Sequence, residues 1–175
     1  HFAEYGPERL SINQISKEIG ASRASFYHHF GDIKIFIDEL LARHRLICEN
    51  FDKEVRKNCK RLVPDLYEEL AHHPVSLRFN WQLFHHRHIE AFNQLFNETY
   101  RATSESCALR LFSDHLRLES SRQEAYDLWL TLGEAWYSRL NPDKLSASAL
   151  QQHGEDIMQT VLVLKEEEIK KGFHL

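Results

Sequence analysis

Apolar residues recur at helical spacing along nearly the whole chain, and polar residues occupy the positions between them. Near the N-terminus, Ile12, Ile15 and Ile19 place an apolar stripe on one short helix, which Ser11 caps. Gly20 supplies the left-handed backbone that ends this helix. No segment has a credible strand pattern, so the sequence predicts an all-α fold of about eight helices.

A second short helix is predicted from Arg23 to Phe30, with Ser22 as its cap. Phe26 and Phe30 are four residues apart and face the core, which leaves the outer face to small and polar residues. Two helices joined by a tight glycine turn, the second with a polar outer face, are typical of a helix-turn-helix that reads DNA. The residues predicted to face base edges are Arg23, Ala24, Ser25 and His28.

The alternative for this segment is ordinary packing, because two helices with a glycine between them occur in many all-α proteins. That interpretation leaves Tyr27, His28 and His29 crowded between two buried phenylalanines, without apolar partners of their own. Docking in a DNA groove explains why these positions are polar. The sequence therefore favours DNA binding.

The same segment resembles a known family. Three features are similar to the DNA-binding domain of the tetracycline-repressor (TetR) family: Gly20-Ala21-Ser22, Phe26-Tyr27-His28-His29-Phe30, and Asp32 at the start of a long helix. The motif covers roughly the first quarter of the chain, the length of one small helical module. Beyond it, the likeness rests on an all-helical pattern of suitable length.

The resemblance implies a role for each position of the motif. It implies that the major groove is contacted by Arg23, Ala24, Ser25 and His28. The phosphate contacts that it implies are Ser11, Ser22, Tyr27 and His29. Two positions depart from the family. Ile33 stands where the family usually has a phosphate-binding lysine, and Lys34, one residue later, is therefore included among the predicted DNA contacts; Ala24 replaces a frequent glycine.

Asp32 is predicted to cap the long helix that follows the motif. Its apolar face is predicted to consist of Phe36, Ile37, Leu40, Leu41, Ile47 and Phe51. Residues 52–61 either continue this helix or form a solvated connector, and Pro64 begins a short helix that ends before Pro74. The next apolar run is too long for one globular helix, so it is split near His86-Arg87.

Two further helices are predicted at Arg122–Leu140, after a cap at Ser120-Ser121, and at 147–171, before a charged tail. The turn Asn141-Pro142-Asp143 joins them, so they should form an antiparallel hairpin. Two such hairpins can close a four-helix bundle between two chains, and in the TetR family the corresponding pair makes the dimer. The alternative is that both helices only complete the monomer core. We expect a homodimer, because a two-fold protein places two recognition helices about 34–36 Å apart on a palindromic operator.

Composition is that of an ordinary globular protein, with 42% hydrophobic and 27% charged residues and no apolar run of membrane-spanning length. The three cysteines lack metal-binding spacing, which fits free thiols in the cytoplasm. The net charge of −4 is uneven: residues 1–61 hold 11 Lys/Arg against 9 Asp/Glu, and residues 62–175 hold 11 against 17. Phosphate attraction needs only local positive charge, so this balance is compatible with DNA binding.

Aromatic residues are dense in the centre of the chain, which predicts a mostly apolar effector pocket, and the TetR resemblance implies such a cavity. For any single aromatic residue, core packing is the alternative. The predicted lining is Trp81, Phe84, His85, His88, Phe92, Phe96 and Trp129. The histidine run 85–88 with Glu90 offers only two ligands on each helix face, so no metal or cofactor is predicted.

The predicted domains are a helix-turn-helix domain at residues 1–46 and a helical effector-binding and dimerisation domain at residues 47–175. The opening HFAEYG resembles the last turn of a helix, so we expect further residues upstream. No phosphate loop, nucleophile elbow or zinc-protease motif indicates an enzyme. The sequence predicts a homodimeric TetR-type repressor that releases its operator when a small molecule tilts the Asp32 helix. A helical interaction module, or a helical enzyme with an unrecognised site, is the alternative.

Overall fold

The computed structural model describes the backbone of residues 1–170 and the side chains of residues 1–160, and that part of the chain contains no strand. Single turns of other helical types lie at Pro7–Arg9, Leu62–Leu66 and Ser104–Ala108. The α-helices are α1 (Phe2–Tyr5), α2 (Ile12–Glu18), α3 (Arg23–Phe30), α4 (Ile33–Asn58), α5 (Tyr67–His72), α6 (Pro74–His85), α7 (Glu90–Thr103), α8 (Leu109–Leu116), α9 (Arg122–Arg139) and α10 (Ala147–Lys170). The predicted all-α fold with an N-terminal helix-turn-helix is confirmed.

Local capping signals set several of these boundaries. Asp32 precedes α4, and its carboxylate accepts a hydrogen bond from the Ile35 backbone N–H at 2.9 Å. Ser121 and Glu124 form a capping box at the start of α9, in which each side chain accepts a hydrogen bond from the other residue's backbone N–H. The predicted caps of both helices are therefore confirmed.

Helix α4 continues through most of the stretch that the sequence left open and ends at Asn58. Val63 is extended, as expected for the residue before a proline, and helical backbone resumes at Pro64 before α5. The split near His86-Arg87 is also confirmed, because α6 ends at His85 and α7 begins at Glu90.

The chain forms two compact units. The first comprises His1–Lys53 with Pro74–Thr103, and the second comprises Glu54–His73 with the chain from Ser104 onward. The two units are defined by contacts within the chain, and their boundaries differ from the predicted boundary at residue 46 between the DNA-binding and effector-binding domains. That functional boundary stays a prediction.

The core of the first unit is aromatic. Phe2 of α1 packs against Phe79 of α6 and Phe92 of α7, with ring centroids 4.3 Å and 5.5 Å apart. His44 of α4 is stacked on the same Phe79 at 3.8 Å. Helices α1 and α4 therefore meet α6 at Phe79, and α7 joins the same cluster through the contact of Phe92 with Phe2.

The core of the second unit forms around α10, which contacts both α5 and α9. Leu150 and Ile157 of α10 are buried there. Gly154 lies between them, where a Cβ atom would come within 2.0 Å of the Tyr67 hydroxyl oxygen. The close approach of α10 to α5 therefore requires a glycine at this position.

Two residues expected on apolar faces are exposed. Ile19 is 64% exposed because it lies past the last turn of α2, at the C-cap, where the helical stripe no longer predicts direction. Ile47 of α4 is 42% exposed, whereas the neighbouring predicted position Leu41 is buried. Both expectations of burial are wrong for this chain.

The three cysteines are buried and form no disulfide bond, as the sequence predicted. Burial raises the pKa of the Cys48 thiol to about 11 and that of the Cys59 thiol to about 12. None of the described helices is both long and apolar enough to cross a membrane. The apolar residues in the second half of the predicted last helix, Val161, Leu162, Leu164 and Ile169, lie outside the described side chains. The charged tail after Lys170 lies outside the described residues.

Candidate nucleic-acid interface

The turn between α2 and α3 has the geometry that its sequence predicts. Ser11 caps α2 by accepting a hydrogen bond from the Gln14 N–H at 3.3 Å, and Ser22 caps α3 by accepting one from the Ser25 N–H at 3.0 Å. Gly20 lies between the helices with φ +66°, a left-handed conformation that other residues rarely adopt. The hairpin is therefore defined by short-range interactions of its own residues.

An aromatic cluster holds the hairpin onto α4. Phe26 is 2% exposed, and its ring centroid lies 4.9 Å from that of Phe30 and 5.4 Å from that of Phe36. The rings of Phe30 and Phe36 meet edge to face at 5.0 Å. Phe36 belongs to the first turn of α4, so these ring contacts attach α3 directly to the start of α4.

The outer surface of α3 is open to solvent. Phe26 is the only buried residue of this helix, and Phe30 is half-buried. The exposed residues of α3 are Arg23, Ala24, Ser25, Tyr27, His28 and His29. We call Arg23, Ala24, Ser25 and His28 the reading face. Ser11, Ser22 and Lys34 are also exposed, so all nine predicted DNA-contacting residues are accessible to a ligand.

The polar groups of this surface are available for a partner. Within the described side chains, neither Arg23 nor Lys34 forms an ion pair with an acidic residue, so both charges face solvent. The Ser22 oxygen accepts its capping bond, which leaves the hydroxyl hydrogen to be donated to a phosphate. Tyr27 is 46% exposed, and His29 rests edge-on against Phe30 at 4.6 Å.

The N-terminal segment before the hairpin is fastened to α6. Besides the contact of Phe2 with Phe79, the Glu8 carboxylate lies 2.8 Å from His86 Nε2. The pKa of Glu8 is lowered, first by a backbone hydrogen bond and further by the hydrogen bond and charge of His86. Sequence reasoning missed this contact, because nothing in the local pattern links residues 78 positions apart.

The residues predicted to line an effector pocket are placed in three ways. Phe84 and Phe96 are buried together, with ring centroids 5.4 Å apart, whereas Phe92 contacts Phe2 in the core of the first unit. Trp81 packs against His85 at 4.4 Å. The Trp81 indole N–H is inaccessible to solvent and has no hydrogen-bond acceptor among the described residues.

The two remaining predicted residues differ in setting. His88 is exposed, and its ring lies 6.0 Å from that of His86. Trp129 belongs to the second unit, where its indole N–H donates a hydrogen bond to Ser104 Oγ at 2.8 Å and its ring packs on Phe112. The role of the whole set in binding an effector stays a prediction.

A capped helix pair, a glycine turn and an exposed polar second helix define a helix-turn-helix DNA-binding protein. Residues 1–40 match the sequence model of a family described as bacterial regulatory proteins, tetR family. The match covers the helix-turn-helix and the start of α4, so this N-terminal segment is similar to the DNA-binding domain of TetR-family transcriptional regulators. Comparisons with curated proteins and with solved structures gave no match.

Proposed function

We propose that the chain is a ligand-responsive repressor that acts as a homodimer and has no enzymatic activity. The observation that carries the proposal is the reading face, which lies exposed on a helix whose opposite side is buried in the Phe26 cluster. Its residues suit base edges: an arginine reads guanine, a serine reads several bases, and an alanine suits the thymine methyl group. The hydroxyl groups of Ser22 and Tyr27 would hold the neighbouring phosphates.

Signal transmission would use the two attachments of the DNA-binding segment. Phe30 and Phe26 fasten α3 to α4 through Phe36, and Phe2 fastens α1 to α6 through Phe79. Helix α6 also carries Trp81, Phe84 and His85 of the predicted effector site. An effector that binds one arrangement of α6 and α4 more tightly would therefore shift the orientation of α3.

The effector is proposed to be a partly aromatic molecule with a hydrogen-bond acceptor. The rings of Phe84 and Phe96 supply apolar contact area. The Trp81 N–H supplies a buried donor without an acceptor, and such a group costs free energy until an acceptor is provided. A carbonyl or carboxylate of the effector is the acceptor that we propose.

Dimerisation is proposed to involve α9 and α10. These helices form the antiparallel pair of the second unit, and α9 keeps Leu128, Trp129 and Trp136 only half-buried within one chain. A second copy would bury this apolar area and place two copies of α3 on successive turns of a palindromic operator. A DNA partner and three free cysteines are consistent with a cytoplasmic protein.

The proposal is tested by selecting bound duplexes from a random DNA pool with the full-length chain. A palindromic consensus with half-sites about one helical turn apart is expected. Arg23→Ala should weaken binding to the selected site by roughly tenfold or more, and it should relax the preference at one base position. Arg110→Ala, at an exposed arginine of α8, is the matched control and should leave affinity unchanged.

The salt dependence distinguishes specific recognition from general attraction to DNA. Binding that shows no consensus and disappears uniformly as salt is raised would leave only phosphate attraction and would contradict the proposed repressor. Release of the selected duplex by a small aromatic acid, with release lost in Trp81→Phe, would support the effector site. Unchanged protection at saturating effector would contradict ligand control.

A further inference from the structure

Three ligand-type side chains from two segments converge within the second unit. Glu54 lies near the end of α4, Glu69 lies on α5, and His73 directly follows α5. His73 Nε2 is 2.9 Å from Glu54 Oε2 and 3.4 Å from Glu69 Oε1. The three donor atoms all lie within 4.8 Å of one another. We call these residues the Glu-Glu-His cluster.

The spacing of the cluster matches the requirements of a small cation. A tetrahedral ion with bonds of about 2.05 Å holds its ligand atoms about 3.3 Å apart. The two distances from His73 Nε2 to the carboxylate oxygens lie on either side of this value. The Glu54 side chain is exposed, so it can move to bring its carboxylate to coordination distance from an ion held by Glu69 and His73.

Hydrogen bonding alone satisfies this arrangement poorly. Two carboxylate oxygens face the same ring nitrogen of His73, and a single N–H at that nitrogen can serve only one of them well. A cation placed between the three groups would accept an electron pair from each of them.

The surroundings hold the cluster in place. Glu69 is 8% exposed, and the Asn58 side-chain amide donates a hydrogen bond to its second oxygen, Oε2, at 3.0 Å. This bond leaves Oε1 directed at His73, which is how outer groups orient the ligands of metal sites. The connecting loop is held independently, because Asp65 accepts hydrogen bonds from the backbone N–H groups of Lys60 and Arg61 at 2.8 Å and 2.9 Å.

We propose that Glu54, Glu69 and His73 bind one first-row divalent transition metal ion, of which Zn²⁺ is representative. One imidazole nitrogen and two carboxylate oxygens are common ligands of this class, and water would complete the coordination. Mg²⁺ and Ca²⁺ prefer oxygen ligands alone, so the imidazole disfavours them. The bound ion would cross-link the C-terminal end of α4 to α5. This proposal does not depend on the effector site or on DNA binding.

The test is a titration of the metal-free full-length chain with Zn²⁺ against a competing chelating dye. One Zn²⁺ per chain is expected, and the ion should raise the midpoint of thermal unfolding. Glu54→Gln removes a ligand at an exposed position, so folding should be unaffected while Zn²⁺ affinity falls roughly tenfold or more. Glu68→Gln, at an exposed glutamate of α5 outside the cluster, is the matched control.

A spectroscopic measurement separates this site from binding at other histidines. Co²⁺ in place of Zn²⁺ should give the visible absorption of a four- or five-coordinate site, and Glu54→Gln should remove it while Glu68→Gln retains it. Zn²⁺ binding that is equal in both variants would assign the ion to other side chains and overturn the proposal. A stoichiometry near zero in the wild-type chain would overturn it as well, and the cluster would then be an ion pair only.

Discussion

Acidification from pH 7 to pH 4 is expected to destabilise the protein through His44. This imidazole is 2% exposed, stacks on Phe79, and forms a 2.8 Å hydrogen bond with Asn80 Oδ1. Burial lowers the pKa of His44 to about 4, although the hydrogen bond with Asn80 partly opposes this effect. In the unfolded chain, the pKa of a histidine stays near the ordinary value of about 6.5.

The sign and size of the effect follow from these two pKa values. Between pH 6.5 and pH 4, the unfolded chain binds a proton that the folded chain does not bind, so the free energy of unfolding falls as the pH falls. At about 1.4 kcal/mol per pH unit, the window of about 2.5 units amounts to about 3.5 kcal/mol. This contribution is present in full above pH 6.5 and is lost by about pH 4.

The assay is urea unfolding followed by circular dichroism at several pH values across this window. His44→Gln should lower stability at pH 7, because the stacked ring is lost, but its unfolding free energy should fall less steeply with pH than that of the wild type. His115→Gln, at an exposed histidine of α8, should keep the wild-type slope. If the wild type and His44→Gln lost stability in parallel from pH 6.5 to pH 4, the role assigned to His44 would be refuted.

Three further substitutions test local features. Ser22→Ala should cost about 1 kcal/mol of stability, because the N-cap hydrogen bond is lost. Ser22→Asp should keep the cap but weaken DNA binding, because its carboxylate repels phosphate. If Ser22→Asp and the wild type bound the selected duplex equally well in a fluorescence-anisotropy titration, the proposed phosphate contact would be wrong. Ser121→Ala should lower stability by about 1 kcal/mol without changing affinity for the selected duplex; a loss of DNA binding would contradict this. Gly154→Ala should destabilise the protein by about 1–3 kcal/mol in thermal unfolding, because the new Cβ atom would overlap the Tyr67 hydroxyl. Adding Tyr67→Phe to this variant should restore part of the lost stability. If the double variant were no more stable than Gly154→Ala, the clash with Tyr67 would be refuted.

Short-range chemistry made the helix-turn-helix predictable. The caps at Ser11 and Ser22 act over three residues, and the left-handed turn needs only Gly20, so the bounds of α3 follow from neighbouring residues. Ile19 shows where such reasoning fails, because helical periodicity predicts direction only while the helix continues.

Contacts between distant segments were not predictable in the same way. The Glu8–His86 pair and the convergence of Glu54 with His73 depend on how helices pack, and packing admits many partners for the same charged residue. The positions of charged residues in the sequence therefore show which residues can form ion pairs, but not which two residues form each pair. The aromatic residues of α6 and α7 are a related case, since their spacing fits both a core and a pocket lining.

Helix α3 has a practical consequence for engineering. One fully buried side chain, Phe26, together with Phe30, anchors this eight-residue helix, and six other positions are open to solvent. Substitutions at the reading face therefore change recognition chemistry at little cost in stability, since exposed positions seldom contribute more than about 0.5 kcal/mol. A combinatorial library at those four positions should consist mostly of folded members, from which regulators for new operators can be selected in a reporter strain.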